Sequence, residues 1–390
     1  MNRLVRLWLL VMLAAAPSLP QAQQAWLVTY GEGSEVWERF GHNALWLRDE
    51  ATGLDHSFSF GYFELDRPGF HTDFARGLML YYGAVTTPER EFSFYRGRDR
   101  SIMLQRLNLD SGQISELYGL LNDAIFPQPQ YYQYHYFLAN CSTWLRDLLD
   151  QVLDGQIAEQ LDNQPARLNF RDHTRRLTAE RFWLHTGMML LLGPEIDRPR
   201  SAWEETFLPE ALADWLDQVE LDNGPLVLER EQIFASQSHH PPEHATGPWL
   251  LSLLFGLLAA SLVLTGLRWQ GLVPGLFRVL GLIGAGLAGC AIFLMWFGSG
   301  HESTWRNAMA LLLHPFWFAL LLPLSPGLKR GLLIALGAGL LAGMIWLAIP
   351  LGQWRPDQLL LVVPVLAALL LVSWKRVQLA DQEARHAASS

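Results

Sequence analysis

The spacing of hydrophobic positions along this chain falls into three regimes. Residues 7–16 form one short apolar run behind Arg3 and Arg6. Residues 25–153 mix period-two segments with period-3.6 segments, the patterns of half-buried strands and amphipathic helices. From residue 249 onward, long apolar runs alternate with short polar loops.

The middle regime predicts an α+β domain. Segment 25–35 (AWLVTYGEGSE) reads as a strand running into a glycine turn. His42 opens a second strand that ends at Arg48-Asp49, and a turn over 50–53 leads to a third, 55–63 (DHSFSFGYF), the pair forming a hairpin. Segment 70–85 reads as a short helix and then a strand. Segment 101–109 alternates and ends at the turn Asp110-Ser111-Gly112, and 111–125 is a helix stopped before Pro127. An aromatic run, 131–137, leads into Asn140-Cys141-Ser142-Thr143-Trp144-Leu145, which starts an amphipathic helix reaching about residue 153. Residues 165–220 carry helical patterns rich in Arg and Trp, with a helix from Pro209. Residues 232–248 read as a polar, Pro-containing linker, in which His239, His240 and His244 are solvated rather than metal ligands.

The last regime predicts five membrane spans, near 249–267, 279–297, 308–324, 331–349 and 358–374. The third is short and contains His314 and Pro315. The first regime reads as a signal peptide, 1–23, because its apolar run is too short for a comfortable span and a small-residue site lies near Ala22. An exported domain followed by five spans puts the C-terminus in the cytoplasm. Arg268, Arg278, Lys329, Arg330, Lys375 and Arg376 then fall on the cytoplasmic side and only Arg306 and Arg355 outside, the positive-inside pattern. The expected order is a signal peptide, a thiol-enzyme domain (24–164), a helical arm and linker (165–245), a five-helix transmembrane domain (249–374) and a cytoplasmic tail (375–390). The place is the bacterial inner membrane. A net charge of −9 argues against a nucleic-acid partner, and the 16 Trp suit an interfacial belt.

The compartment makes one residue stand out. The chain has two cysteines, and Cys290 lies in an apolar run. Cys141 is therefore alone on the oxidising side, at a helix start where unpaired N–H groups and the dipole favour a thiolate. It reads as a nucleophile. A base must lie within reach of it, and a third group orients that base. His42, at a glycine-flanked strand start, is the candidate base. His56 on the facing strand is the candidate orienter and Ser59 the weaker one; alternation puts these two on opposite faces, so only one serves. His71 and His135, in aromatic surroundings, read as structural. Tyr134 and Tyr136, with the Cys141 N–H, are candidate oxyanion donors. The first outer loop, 298–307, adds His301, Glu302 and Asn307 as a polar cluster on the same side of the membrane. Asn140, Tyr136, His301 and Asn307 are accessory candidates. Nothing calls for a metal or another cofactor.

These residues resemble those of a known group. An early strand histidine, a polar residue on the next strand and a later Asn-Cys opening a helix resemble the circularly permuted papain-like (NlpC-like) thiol enzymes. More closely, the chain resembles the Lnb family of bacterial lipoprotein N-acyltransferases. The matching stretches are Phe40-Gly41-His42-Asn43-Ala44, Phe58-Ser59-Phe60-Gly61-Tyr62-Phe63, Gln105-Arg106-Leu107-Asn108-Leu109, Asn140-Cys141-Ser142-Thr143, and Asp197-Arg198-Pro199 with Trp203-Glu204. Ser59 stands where the family pattern has asparagine. The resemblance implies that Cys141 carries a fatty acyl chain as a thioester and that His42 activates the thiol. The chain would move from the glycerol of a diacylated lipoprotein to its own N-terminal amine, giving a lyso-form. The partners implied are the bilayer and a diacylated lipoprotein or phospholipid. Two other readings stay open: a periplasmic thiol peptidase or amidase of NlpC type, and a non-catalytic membrane scaffold in which Cys141 is inert.

Overall fold

A computed structural model describes residues 23–244, 246–269, 271–348 and 355–389; the expected signal segment before residue 23 lies outside them. The strands are β1 (Gln24–Tyr30), β2 (His42–Asp49), β3 (Leu54–Tyr62), β4 (Leu80–Thr86), β5 (Ile102–Leu107), β6 (Tyr132–Gln133), the short β7 (Glu220–Leu221) and β8 (Gly224–Pro225), and β9 (Val227–Phe234). The helices up to the polar segment before residue 249 are α1 (Phe70–Arg76), α2 (Pro88–Gly97), α3 (Ser111–Ile125), α4 (Cys141–Val152), α5 (Gln156–Leu161), α6 (Phe170–Thr178), α7 (Phe182–Leu191), α8 (Ala202–Glu205) and α9 (Pro209–Leu216). Four long helices follow: α10 (Trp249–Leu264), α11 (Leu272–Phe297), α12 (Pro326–Ala348) and α13 (Pro356–Ser389).

The chain divides into two units. The first takes the chain to Glu64, then Leu80–Ala166 and Ser201–His240. It is built on one antiparallel sheet, ordered β6-β4-β3-β2-β1-β5-β9. Alternation along β2 divides its side chains between two helical layers. Leu45 and Leu47 are fully buried on the face that receives α4, whose Leu145, Leu148, Leu149 and Val152 are buried in turn. Ala44 and Trp46 face the other way and pack with Tyr30, Val28, Phe92 and Tyr95, the last two from α2. α2 begins at Pro88, a residue whose fixed φ suits the first helical position.

Two expectations change here. The stretch 165–245 does not act as one arm: 201–240 returns to the first unit, while Arg167–Arg200 belongs to the second. The polar segment from 232 is in part the end of β9, which pairs with β5. Its charged residues Glu229, Arg230 and Glu231 suit an edge strand, where they discourage pairing with another chain.

The second unit comprises Leu65–Met79, Arg167–Arg200 and Pro241–Ser390. Among the described residues, four helices are long and apolar enough to cross a membrane. The expected third span, 308–324, is not one of them. It folds as two 3-10 segments, Ala308–Leu311 and Pro315–Leu321. Pro315 supplies no N–H, and His314 Nδ1 instead accepts the Phe316 N–H at 3.2 Å, which restarts the chain rather than continuing a helix. The segment nevertheless packs against the middle of α11. A Cβ at Gly289 would meet the His314 backbone, and one at Gly286 would meet the Phe318 ring. A 3-10 segment rises about 2.0 Å per residue against about 1.5 Å for an α-helix, so fewer residues cover the same thickness. Arg330 pairs with Asp381, and Lys375 donates to the Leu267 carbonyl, so two basic residues lie toward one end of the bundle.

Candidate active site

Cys141 is the first residue of α4, and the turn before it is fixed by its neighbour. Asn140 Oδ1 accepts the N–H groups of Ser142 and Thr143, both at 3.0 Å, while Thr143 Oγ1 accepts the Asn140 N–H at 2.8 Å. This is a reciprocal helix cap. The Asn140 amide donates at 2.9 Å to both the Tyr136 and Phe207 carbonyls, anchoring the cap to the segments on either side. Asn140 is thus a positioning residue for the cysteine.

The sulfur meets the sheet at the start of β2. The Asn43 backbone N–H favours the Cys141 anion, and Asn43 follows His42. The Asn43 side chain, fully buried, donates to Thr29 Oγ1 at 2.9 Å and accepts from Ser142 Oγ at 2.7 Å. It joins β1, β2 and α4 at one point. Across the strand, a Cβ on Gly61 would lie 3.7 Å from Cys141 Cβ. Gly61 has φ of +104° and sits in the irregular step between Phe60 and Tyr62. A side chain there would be strained and would crowd Cys141.

His42 pairs with Tyr30 in the β1–β2 register. Its ring centroid lies 6.3 Å from those of Tyr30 and Tyr95 and 6.5 Å from that of Tyr62, which meets it edge-on. By alternation the imidazole belongs to the α2 side of the sheet and α4 delivers the sulfur from the other side. Gly61, on the neighbouring strand, adds no side chain beside Cys141. Burial, and then the charge of Arg100, pull His42 down to about 3. Burial also pushes the Cys141 thiol up, against the N–H groups that favour its anion. At neutral pH the resting site therefore holds a neutral imidazole and a neutral thiol.

His56 does not orient this base. It pairs with Leu47, at the far end of the hairpin from Gly61, and its ring packs on Phe58. Five residues of strand, at about 3.3 Å each, separate it from Gly61. Ser59 pairs with Ala44 and shares the His42 face. Its hydroxyl lies 3.1 Å from Tyr62 Oη and 3.5 Å from Glu91 Oε1, and Glu91 also accepts from Ser57. Ser59 thus reaches the His42 surroundings through Tyr62. Glu91, Tyr62, Tyr95 and Arg100 were not singled out by the sequence reading, since three of them lie on a helix and a turn with no polar motif of their own.

Tyr134 closes the other side, 3.9 Å from the Gly61 Cβ position, and stacks on Tyr81 at 4.3 Å. Tyr136 meets Tyr134 edge-on at 6.0 Å. Burial raises both phenols, so both keep their protons and can donate. The outer-loop candidates have structural partners within the second unit. His301 Nε2 lies 2.7 Å from the Phe74 carbonyl. The Asn307 amide donates to the Leu190 and Leu191 carbonyls at 2.7 and 2.9 Å, and its oxygen accepts from Arg355 at 2.8 Å.

Comparison with known proteins adds two matches. Residues 18–180 match the family model described as the Lnb N-terminal periplasmic domain, and residues 241–380 match that of the Lnb transmembrane domain. No curated protein and no solved structure matches the chain.

Proposed function

The chain belongs to the Lnb family, and from that membership and the surroundings of Cys141 we propose that it is a membrane-bound cysteine acyltransferase. Cys141 is the nucleophile and His42 the base. The observation that carries this reading is the place of Cys141 at a capped helix start that Ser142 ties to Asn43, the residue after His42. A cysteine buried only for packing has no need of that environment.

The chemistry follows from the residues present. His42, neutral at rest, takes the Sγ proton as the sulfur attacks the carbonyl carbon of a glycerolipid ester. The Cys141 N–H and a tyrosine hydroxyl serve the oxyanion. The acyl–oxygen bond breaks, and His42 returns the proton to the glycerol oxygen. A primary amine then attacks the thioester, the C–S bond breaks, and the proton passes through His42 back to sulfur. The amine is the N-terminus of a diacylated lipoprotein. The donor ester is its own glycerol, giving a lyso-form, or that of a membrane phospholipid.

The α+β unit is then a thiol-enzyme domain of permuted papain-like type on the outer face of the inner membrane. Segment Ala308–Leu321 counts as a fifth, non-α crossing, which leaves the C-terminus cytoplasmic and the basic end of the bundle inside. A bilayer-embedded ester is accessible only to a site held at the interface, which gives the spanning helices a purpose that a peptidase would lack.

Intact mass spectrometry of the full chain incubated in detergent with diacylated lipoprotein tests this. The expected result is a gain of one acyl chain, released by hydroxylamine and absent in Cys141→Ala. Fragmentation of the lipoprotein separates the two donors. A chain that never gains an acyl group, with Cys141 inert to iodoacetamide when folded, overturns the nucleophile assignment.

A further inference from the structure

The Cys141 site contains a cation that the reaction as written does not use. Arg100 is 3% exposed. Its Nε donates to the Gly31 carbonyl at 2.8 Å, its guanidinium lies over the Tyr95 ring at 4.6 Å, and its Nη1 stands 3.7 Å from Glu38. Its Nη2 is buried with no hydrogen-bond partner. The loop Gly31-Glu32-Gly33 is shaped around it: a Cβ at Gly33 would come within 2.9 Å of Arg100 Cδ and 2.5 Å of a Glu38 oxygen. Gly31 follows Tyr30, the residue paired with His42. The guanidinium therefore lies at the same strand end as the base, on the tyrosine that also flanks it.

Glu38 does not neutralise this charge alone, because Arg98 holds the same carboxylate oxygen at 2.6 Å. Arg39 binds the Gly33 carbonyl at 3.3 Å. Arg98 and Arg100 thus share the Glu38 carboxylate, and the charge of Glu32 also acts on Arg100. The remaining titratable groups around His42 are Tyr30, Tyr62, Tyr95, Cys141 and, beyond Tyr30, Glu91. None of them is an anion in contact with Arg100 at rest. A buried N–H without a partner is uncommon in folded proteins and calls for an explanation, a bound water or ion among them.

We propose that Arg100 Nη2 is an anion subsite, and that a phosphate-class oxyanion bound there switches on the Cys141–His42 pair. This rests on the acyltransferase reading and deepens it. With the subsite empty, the arginine charge opposes an imidazolium at His42, so the thiol keeps its proton in an oxidising compartment. An oxyanion on Nη2 cancels that charge, the imidazole regains basicity, and the sulfur is deprotonated beside the group that brought the anion. A lipid headgroup and free phosphate offer the same chemistry. Arg100 is a positioning residue acting through His42, and the step moves only the Sγ proton to the imidazole.

The test is the rate of Cys141 alkylation by iodoacetamide against pH, on the full chain in detergent with Cys290→Ala as background. Probes are inorganic phosphate, dihexanoyl phosphatidylglycerol and uncharged dihexanoyl glycerol. A phosphate-bearing probe is expected to speed alkylation of the Arg100-containing protein at pH 7 about tenfold, the factor of one pKa unit, and the uncharged lipid to do nothing. Response to the lipid alone assigns a headgroup; response to both assigns the phosphate group itself. Arg100→Gln is expected to react fast without any probe and to ignore phosphate. Arg100→Lys keeps the charge and should stay slow, with a weakened response; it serves if the glutamine variant does not fold. Phosphate without effect, a slowing by phosphate, or a phosphate response that survives in Arg100→Gln overturns the proposal. Absence of alkylation at any pH overturns the nucleophile itself, a distinct failure.

Discussion

The Ser142 hydroxyl donates to Asn43 Oδ1 at 2.7 Å, and through that one bond the residue after Cys141 holds the residue after His42. Asn43 also binds Thr29, so its removal leaves two buried hydroxyls short of a partner. An unmade buried hydrogen bond costs about 1–3 kcal/mol. Asn43→Ala is expected to lose about 2–4 kcal/mol of stability, and acyl transfer should fall at least tenfold even below the new unfolding temperature. Thermal unfolding followed by tryptophan emission, alongside the thioester assay, checks both. A variant that is less stable but fully active would confine Asn43 to the scaffold.

The cap at Asn140 predicts a different balance. Asn140→Ala loses the bonds to Ser142 and Thr143 and frees the Tyr136 and Phe207 carbonyls. Loss of a helix cap costs typically about 1 kcal/mol, up to about 2. Asn140→Asp keeps the acceptor and the cap but gives up the two donated bonds, and it adds a negative charge beside the sulfur. It should retain more stability than the alanine variant, yet raise the pH at which Cys141 is alkylated. Measuring both variants separates capping from electrostatics.

The site was readable in sequence where chemistry is local. Asn140, Cys141, Ser142 and Thr143 announce a capped helix with a thiol at its start, and Gly41-His42-Asn43 announces a strand opening. What escaped depends on register. His56 and Ser59 differ by three positions on one strand, and only the pairing Ala44 with Ser59 reveals which of them lies near His42. Glu91 and Arg100 were hidden because a buried charge in an amphipathic helix or a turn looks like a solvated one until its neighbours are known. The third apolar run misled for the opposite reason. Its composition is that of a span, but Pro315 makes it a chain of 3-10 turns instead of one continuous helix.

The depressed His42 predicts an acid limb in stability. In the unfolded chain an imidazole titrates near 6.5, whereas in the fold His42 is held down to about 3 by burial and by Arg100. Below about pH 6.5 the unfolded chain binds a proton that the folded chain refuses, so stability is full above that pH and declines as pH falls toward 3. His42→Gln cannot take up that proton. Its unfolding temperature should fall less than that of the parent between pH 6.5 and 4, in spite of lost activity. Parallel melting curves for parent and variant would settle it; identical pH slopes would mean that His42 titrates normally in the fold.

Glu91 predicts the reverse sign. Its carboxyl is buried, 5% exposed, and desolvation raises its pKa despite the bonds from Ser57 and Ser59. The charged form therefore opposes folding at neutral pH, and the opposition eases as the group protonates. Glu91→Gln keeps an acceptor for one serine and removes the charge, so it should be as stable as the parent or more stable at pH 7, with the gain shrinking at pH 5. Glu91→Ala leaves both serines without their acceptor and should lose about 2–3 kcal/mol. Unfolding temperatures of the two variants at both pH values test the assignment.

The membrane unit offers a prediction that separates architecture from chemistry. Asn307 holds Arg355 at 2.8 Å and two carbonyls of α7, Leu190 and Leu191, and its oxygen also takes the Met309 N–H at 3.0 Å. Arg355 itself donates to the Leu192 carbonyl at 2.6 Å. Asn307→Ala removes the amide that ties α7 to the loop after α11 and takes a bond from a fully buried arginine. Breaking one partner of a buried charged group costs several kcal/mol, commonly about 3–5. The variant is expected to melt well below the parent in detergent, while the fraction still folded alkylates Cys141 with an unchanged pH profile. Asn307→Asp retains an acceptor for Arg355 but loses the amide donor, and should recover part of the loss. A shifted alkylation profile in folded Asn307→Ala would instead return Asn307 to the site, as its position in the outer loop first suggested.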